Sequence, residues 1–485
     1  MTTDITIVGL GPGAAGMLTA EAAEVLRTAR EVWVRTARHP TVEALPAIPW
    51  QSFDTFYERE SGFSDVYAAI TAEVLRLARR PEGVVYAVPG SPRVGETAVA
   101  MILAQAKELG LTVRVVEGLS FIEPCLALVG LDALEGVFLA DALDLAARHH
   151  PPFPPSAHVL VAQLYSQQLA GDVKLVLMNQ YPEEHAVRLI HAAGTVQAEV
   201  EALPLYEIDR STKTAHLTAL YIPPLAGALE ELQETLAHLR APEGCPWDRE
   251  QTHLTIRGNM LEETYEVLDA LDREDPRKLA EELGDLLLQI GLHTQIATEA
   301  GEFRMADIVA GINDKIHRRH PHVFGEAKVD GVGEVLRNWE TIKEGERSEQ
   351  GGGQNGLFDS VPAALPALEQ AQVYQQRAAR VGFDWPEVGG VKAKMAEELA
   401  ELEAAVSEDE RAAELGDVIF AVVNYARWLK IDSESALRMA NARFRERFTH
   451  MEEAAKARGK PLKDMTLEEL DALWEEAKRA GNQPV

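Results

Sequence analysis

Residues 261–290 read LEETYEVLDALDREDPRKLAEELGDLLLQI, and their pattern decides how the second half of the chain folds. Apolar residues recur every three to four positions, first as Leu261, Val267, Leu268 and Leu271, then as Leu279, Leu283, Leu286 and Leu287. That period predicts two amphipathic helices. Asp275-Pro276 predicts the turn between them, because proline suits the first turn of a following helix. Glu263 and Glu266 stand three apart on the first helix, and Glu282 and Asp285 three apart on the second. Residues at that spacing share a helix face. Closing the hairpin points four carboxylates into one space, with Glu262 and Glu281 beside them. Like charges so gathered repel unless a cation sits among them. A set of carboxylate oxygens without Cys or His favours Mg²⁺ or Mn²⁺ over Zn²⁺. Acids facing each other across antiparallel helices are also how helical bundles build metal sites.

A lone E-E-x-x-E on a helix is by default a solvated acidic face. Here the pattern recurs. Glu397-Glu398, Glu401, Glu414 and Asp417 repeat the order further along. Trp339-Glu340 with Lys343 is matched by Trp474-Glu475 with Lys478, and Lys315 and Arg319 in NDKIHRRH by Arg443 and Arg447 in NARFRERF. Matched elements in one order indicate an internal duplication.

The chain has 485 residues, room for several domains with cores of their own. Lys and Arg number 47 against 77 Asp and Glu, a net charge of −30. That balance argues against a nucleic-acid polymer as partner, which calls for a basic stripe. Cys125 and Cys245 are too few for a disulfide framework. The N-terminal MTTDITIVGLGPG carries an acid and runs straight into a strand, so no secretory signal is expected. No apolar run reaches roughly 18 residues, so no membrane span is expected and a cytoplasmic protein is the default.

Residues 1–222 read as α/β. Strands are expected at 5–10, 31–35, 84–88 and 113–117, with helices at 19–29 and 96–109. Residues 151–155, Pro-Pro-Phe-Pro-Pro, are expected as a linker between two lobes. Segments 159–164 and 174–178 are expected as strands of the second lobe. Glycine-rich turns at strand ends are where open α/β sheets bind ligands, and Gly9-x-Gly11-x-x-Ala14 fits a loose dinucleotide pattern. In order and spacing, VGLGPG, YAVPGSPRVGE and VEGLSFIEPCLALVGL resemble the loops of the tetrapyrrole methylase family across residues 4–222. The resemblance implies two α/β lobes with S-adenosylmethionine in the cleft between them. Pro12, Gly13, Gly90, Ser91, Gly118 and Ser120 would border that cofactor, with Met178 near it from the second lobe. Ala14 and Ser91 stand where family members usually carry Asp, so the methyl acceptor is left unassigned.

Beyond a helix at 225–239, residues 241–252 are expected as a loop with a buried Trp247. From there to about Lys478, CPWDREQTH, LEETYEVLDAL, EELGDLLLQI, DKIHRRHPHVFG, VGFDW and NARFRERF resemble the MazG-type nucleoside triphosphate pyrophosphohydrolases. The expected architecture is therefore multidomain. A two-lobed α/β methylase-like domain (1–222) is followed by two all-α repeats (225–345 and 361–485), joined by a flexible linker at 346–360 that contains Gly351-Gly352-Gly353-Gln354-Asn355-Gly356. The resemblance implies hydrolysis of a nucleoside triphosphate to monophosphate and pyrophosphate, and a homodimer. Glu263, Glu266, Glu282 and Asp285, and again Glu398, Glu401, Glu414 and Asp417, are the expected metal ligands. Glu398, Glu401 and Lys394 are expected to be catalytic. Lys394, Arg443, Arg447 and Lys478, with Lys315, Arg319 and Lys343 in the first repeat, are the cations available to phosphate. Trp474 either packs on base or ribose or belongs to the core, and Trp339 is its expected substrate-binding counterpart in the first repeat. Lys394 stands four residues before Glu398, whereas the matching position before Glu263 is Asn259. The second repeat is therefore expected to be the stronger catalyst, although Ala413 replaces Glu281. His320-Pro321-His322 ends a helix and is expected as a cap or turn. Two other readings are methyl transfer assisted by the helices, and a methyltransferase carrying a non-catalytic partner-binding module.

Overall fold

The computed structural model describes residues 3–44, 49–60, 62–349 and 356–480. The chain forms two compact units, Met1–His238 and Leu239–Val485.

The first unit holds two five-stranded sheets. One has the order β3-β2-β4-β1-β5 and is parallel throughout (β1 Ile5–Gly9, β2 Val32–Val34, β3 Trp50–Ser52, β4 Val84–Val88, β5 Val113–Val116). The inner strands β1, β2 and β4 are almost wholly apolar because both of their faces are covered. Ile5, Ile7, Tyr86 and Val88 pack under helices Phe63–Leu77 and Thr97–Glu108, and Val8, Val34 and Ala87 under helix Ala20–Thr28. The second sheet, β6-β7-β10-β8-β9, pairs β6 and β7 in parallel and the others antiparallel (β6 Val137–Asp141, β7 His158–Ala162, β8 Ala186–His191, β9 Glu199–Pro204, β10 Thr218–Ile222).

Two expectations are corrected in this sheet. Residues 174–178 are not a strand but the end of helix Gln167–Leu177 and its cap. Ser166 caps the helix, and Leu169, Ala170, Val173, Val176 and Leu177 are its buried face. The helical period that begins at Leu169 overrides the apolar run Leu175-Val176-Leu177-Met178 read alone. The proline stretch is no boundary between lobes either. β6 precedes it yet belongs to the second sheet, and Phe153 is buried in that sheet's core.

The loops after β1, β4 and β5 cross at three glycines. A Cβ on Gly118 would lie 2.5 Å from the Gly90 carbonyl oxygen and 2.8 Å from Gly9 Cα. Gly11 and Gly90 bridge one another with φ of +72° and +65°, a region that glycine enters without strain.

The second unit is helical: α1 Arg257–Asp272, α2 Pro276–Ala300, α3 Met305–Arg319, α4 Val332–Glu349, α5 Ala367–Arg380, α6 Val388–Ala404, α7 Glu408–Trp428, α8 Ser433–Ala457 and α9 Leu467–Ala480. Asp275 caps α2 by accepting from the Arg277 and Lys278 amides, with Pro276 in the first turn. Ser407 and Glu410 form a capping box on α7. These caps close two antiparallel hairpins, α1–α2 and α6–α7. Gln372 on α5 accepts from the Ser433 amide and donates to the Ile431 carbonyl, and Arg438 on α8 meets Asp272 on α1 at 2.8 Å. Two further corrections fall here. Trp247 sits on a short helix, Pro246–Glu250, and is 58% exposed. Helix α4 runs through Glu349 into the expected linker, of which residues 350–355 lie outside the described residues. No helix among the described residues is long and apolar enough to cross a membrane.

The glycine crossing gives a stability test. Gly118→Ala should destabilise the α/β unit by about 1–3 kcal/mol through backbone overlap. Gly16→Ala, where a Cβ meets open space, should change stability by less than about 0.5 kcal/mol. Denaturant unfolding of the two variants checks both.

Candidate functional site

On the first hairpin, Glu263 and Glu266 of α1 and Glu282 of α2 each place a carboxylate oxygen within 4.8 Å of the others. On the second, Glu398 and Glu401 of α6 and Glu414 of α7 do the same. One acid in each trio is buried, Glu282 at 1% exposure and Glu398 at 6%. Charged groups are rarely buried without a partner. Each has a lysine one turn away. Lys278 Nζ is 2.5 Å from Glu282 Oε1, and Lys394 Nζ is 2.7 Å from Glu398 Oε1.

The lysine corrects the reading built on Asn259. The first hairpin does not lack a cation; Lys278, from the opposite helix, supplies it. Comparing matched positions misses this because the two hairpins exchange roles. The buried acid and its lysine lie on the second helix of the first hairpin and on the first helix of the second. The signal was nonetheless present in the i,i+4 spacing of Lys278 and Glu282.

The acids remain crowded. Glu266 titrates above the ordinary carboxylate range, chiefly because of the Glu282 charge. Glu263 is pushed up by burial and then by Asp285 and Glu282, and Glu401 by burial and then by Glu398 and Glu414. Asp285 and Asp417, expected as fourth ligands, stand outside the 4.8 Å groups. Asp285 is half-buried and near enough to act on Glu263, and Asp417 is exposed. Uncompensated negative charge on an oxygen-only donor set suits a hard divalent cation.

The remaining cations sit elsewhere. Arg319 Cζ and Lys343 Nζ lie 5.9 and 4.3 Å from the centre of the Trp339 ring. Arg319 and Arg318 both donate to Glu346, and the Arg319 bond holds that carboxyl down to about 2. In the second half, Arg447 Cζ lies 5.7 Å from the Trp474 ring centre, and Lys478 pairs with Glu475. Trp474 packs with Met451, Ala455 and Leu473, as its core alternative holds. Lys315 and Arg443 are exposed. Helix α3 packs on α4, and α8 chiefly on α9. The structure thus gathers the acids on the hairpins and these cations on other helix pairs. His320 Nδ1 bonds the Ile316 carbonyl, as a helix-end cap does.

The α/β unit contains a cleft of about 600 Å³. Pro12, Gly90 and Ser91 line it, whereas Gly13, Gly118 and Ser120 belong to the same loops without lining it. The buried Ser120 hydroxyl donates to Glu123. Met178 is the exposed cap of helix Gln167–Leu177 and is not part of the lining. Sequence reasoning missed three groups in the wall, Glu96 and His39, which are buried, and Arg35, which is half-buried. Arg35 Nε stands 3.3 Å from Glu96 Oε1, and His39 is beside them. Burial pushes Glu96 up to about 7 against the pull of Arg35. Burial, and then the Arg35 charge, bring His39 down to about 4. Their only signal was position, in RTARHP after β2 and beyond the turn after β4.

Residues 251–324 match the model of the MazG nucleotide pyrophosphohydrolase domain, and residues 4–209 that of the tetrapyrrole (corrin/porphyrin) methylases. The nucleoside triphosphate pyrophosphohydrolase of Escherichia coli K12 is 45% identical over 52% of this chain and 97% of its own length. The chain belongs to the MazG family. Its MazG part is fused to a methylase-type α/β domain, an arrangement matched end to end by YabN of Bacillus subtilis 168, an uncharacterized protein, at 41% identity over 99% of both chains. The nucleoside triphosphate pyrophosphohydrolase/pyrophosphatase MazG of Thermotoga maritima is 43% identical over 52% of this chain and 97% of its own. The MazG domain match covers the first hairpin, and the second lies beyond it.

Lys278→Met should lower the melting temperature of the metal-free protein by roughly 2–4 °C, because it strips the countercharge from buried Glu282. Added Mg²⁺ should recover most of that loss. Thermal unfolding with and without Mg²⁺ checks this; a loss that Mg²⁺ leaves untouched would speak against a cation site on this hairpin.

Proposed function

We propose that the helical unit hydrolyses nucleoside triphosphates to monophosphate and pyrophosphate with Mg²⁺ or Mn²⁺, and that the α/β unit is an S-adenosylmethionine-dependent methyltransferase. The observation that carries the first half is the pair of three-carboxylate clusters, each with one buried, lysine-paired acid. Membership of the MazG family supports it. Mg²⁺ bound there would supply charge neutralisation for a polyphosphate and Lewis-acid polarisation of the reacting phosphoryl group.

The protein's own groups divide the remaining work. Glu263, Glu266 and Glu282 hold the ion on one hairpin, and Glu398, Glu401 and Glu414 on the other. Glu401, the exposed acid of the second trio, is the proposed acceptor for the proton of an attacking water. Lys394, released from Glu398 when an ion is present, is free to meet a phosphate oxygen. Lys278 stands in the same relation to Glu282, so both hairpins are proposed as metal sites in a duplicated helical region of 225–345 and 361–485. Arg319, Lys343, Arg447 and Lys478 remain proposed phosphate contacts.

The methylase half rests on the family match and on the loop crossing at Gly9, Gly90 and Gly118, which leaves backbone where side chains would block a ligand. The proposed homodimer has its own support. Ile308, Val309, Ile312 and Ile316 leave an apolar stripe exposed along α3, which a second copy would cover. Ile312→Glu should shift a dimer toward monomer in sedimentation; a monomeric parent protein would end that part of the proposal.

Nucleoside triphosphates with Mg²⁺ should yield pyrophosphate and monophosphate, and chelation of the metal should stop the reaction. Glu398→Ala and Glu263→Ala should each lower pyrophosphate release, with the double variant down by roughly 100-fold or more. Orthophosphate as the only product would overturn the assignment.

A further inference from the structure

The cleft of the α/β unit carries a set of groups that methyl-donor binding does not explain. Glu96 is buried at 9% exposure and lines the cleft, and its Oε2 has no hydrogen-bond partner among the described residues. His39, at 3% exposure, lines it too, with Nδ1 unpaired. Arg35 lies 3.3 Å from Glu96 Oε1 without a well-aligned bond, and its Nε is otherwise unpartnered. Buried donors and acceptors left open in this way are costly unless a ligand completes them.

The neighbouring wall is aromatic. Tyr57, Phe63, Tyr67 and Tyr165 line the cleft, and Phe63 meets each of the other three at ring-centroid distances of 6.1–6.5 Å. Phe63 belongs to the first lobe, and Tyr165 follows β7 of the second. A flat ring is the shape such a wall accepts.

Charge narrows the choice. Among the described residues lining the cleft, Arg35 and Arg38 are set against Asp54, Glu58 and Glu96. A macrocycle bearing many carboxylates would meet more acid than base there. A near-neutral heteroaromatic ring with N–H donors beside a carbonyl would not. A carboxylate can accept from two adjacent N–H groups of such a ring, and a guanidinium can donate to its carbonyl.

We propose that this cleft binds a purine base of the guanine type, with Glu96 accepting from its paired N–H groups, Arg35 donating to its carbonyl, and Tyr57, Phe63, Tyr67 and Tyr165 flanking the ring. As an assignment of the methyl acceptor, this rests on the reading of the cleft as a methyltransferase site. The inference extends nucleotide chemistry from the helical unit to the α/β unit, and it sets a nucleobase in place of a polycarboxylate tetrapyrrole as the acceptor class.

Calorimetric titration of the full chain tests it with three probes: guanosine, a polycarboxylate porphyrin and S-adenosylmethionine. Guanosine should bind and the porphyrin should not. Glu96→Gln should weaken guanosine at least tenfold and leave S-adenosylmethionine affinity within twofold. Tyr165→Ala, at a partly exposed position that folding tolerates, should weaken guanosine several-fold. Porphyrin binding without guanosine binding overturns the proposal, as does guanosine binding that neither substitution alters, or no binding of either. S-adenosylmethionine failing to bind while guanosine binds would instead overturn the methyltransferase reading and leave the base site standing.

Discussion

The helical half is governed by electrostatic repulsion held in check by capped antiparallel helix pairs. Each hairpin presses three carboxylates together because its two helices pack side by side and its turn is capped. Without that packing the acids would separate into water, where like charges cost little. With it, the proton affinities of Glu263, Glu266 and Glu401 rise and one acid per hairpin is buried. A lysine one turn away compensates part of the charge and leaves the rest for a cation. Metal binding and fold stability are thereby linked through the same few side chains.

The α/β half meets a different constraint, close approach of backbone. Three loops converge because Gly9, Gly90 and Gly118 have no side chains to hold them apart. That convergence shapes one side of the cleft. In the same cleft, the Arg35–Glu96 pair and His39 keep polar atoms open. The two halves use opposite means to the same end. The hairpins concentrate one sign of charge, and the cleft balances both signs beside aromatic rings.

Much of this was legible in the residues. The α/β character of the first half, the helical second half, the capped turn at Asp275-Pro276 and the six clustered glutamates all follow from local periodicity. Local rules hold where neighbours in sequence are neighbours in space, which is true of helix faces and turns. They failed at residues 174–178, where a short apolar run fits strand or helix equally until Ser166 and Leu169 are counted with it. They failed also at Phe153, which a proline-rich context disguised as linker, and at Trp247, whose size suggested a burial that the fold does not provide.

What the chain alone determined is the set of residues that can share a helix face, since i,i+3 and i,i+4 relations depend only on helical pitch. Tertiary structure decided which acid of each trio loses water, and therefore that Lys278 and Lys394 are countercharges carried on opposite helices of their hairpins. It also decided that Arg35, His39 and Glu96 share one wall. Burial and long-range approach arise from partners far away in sequence, and no local spacing encodes them.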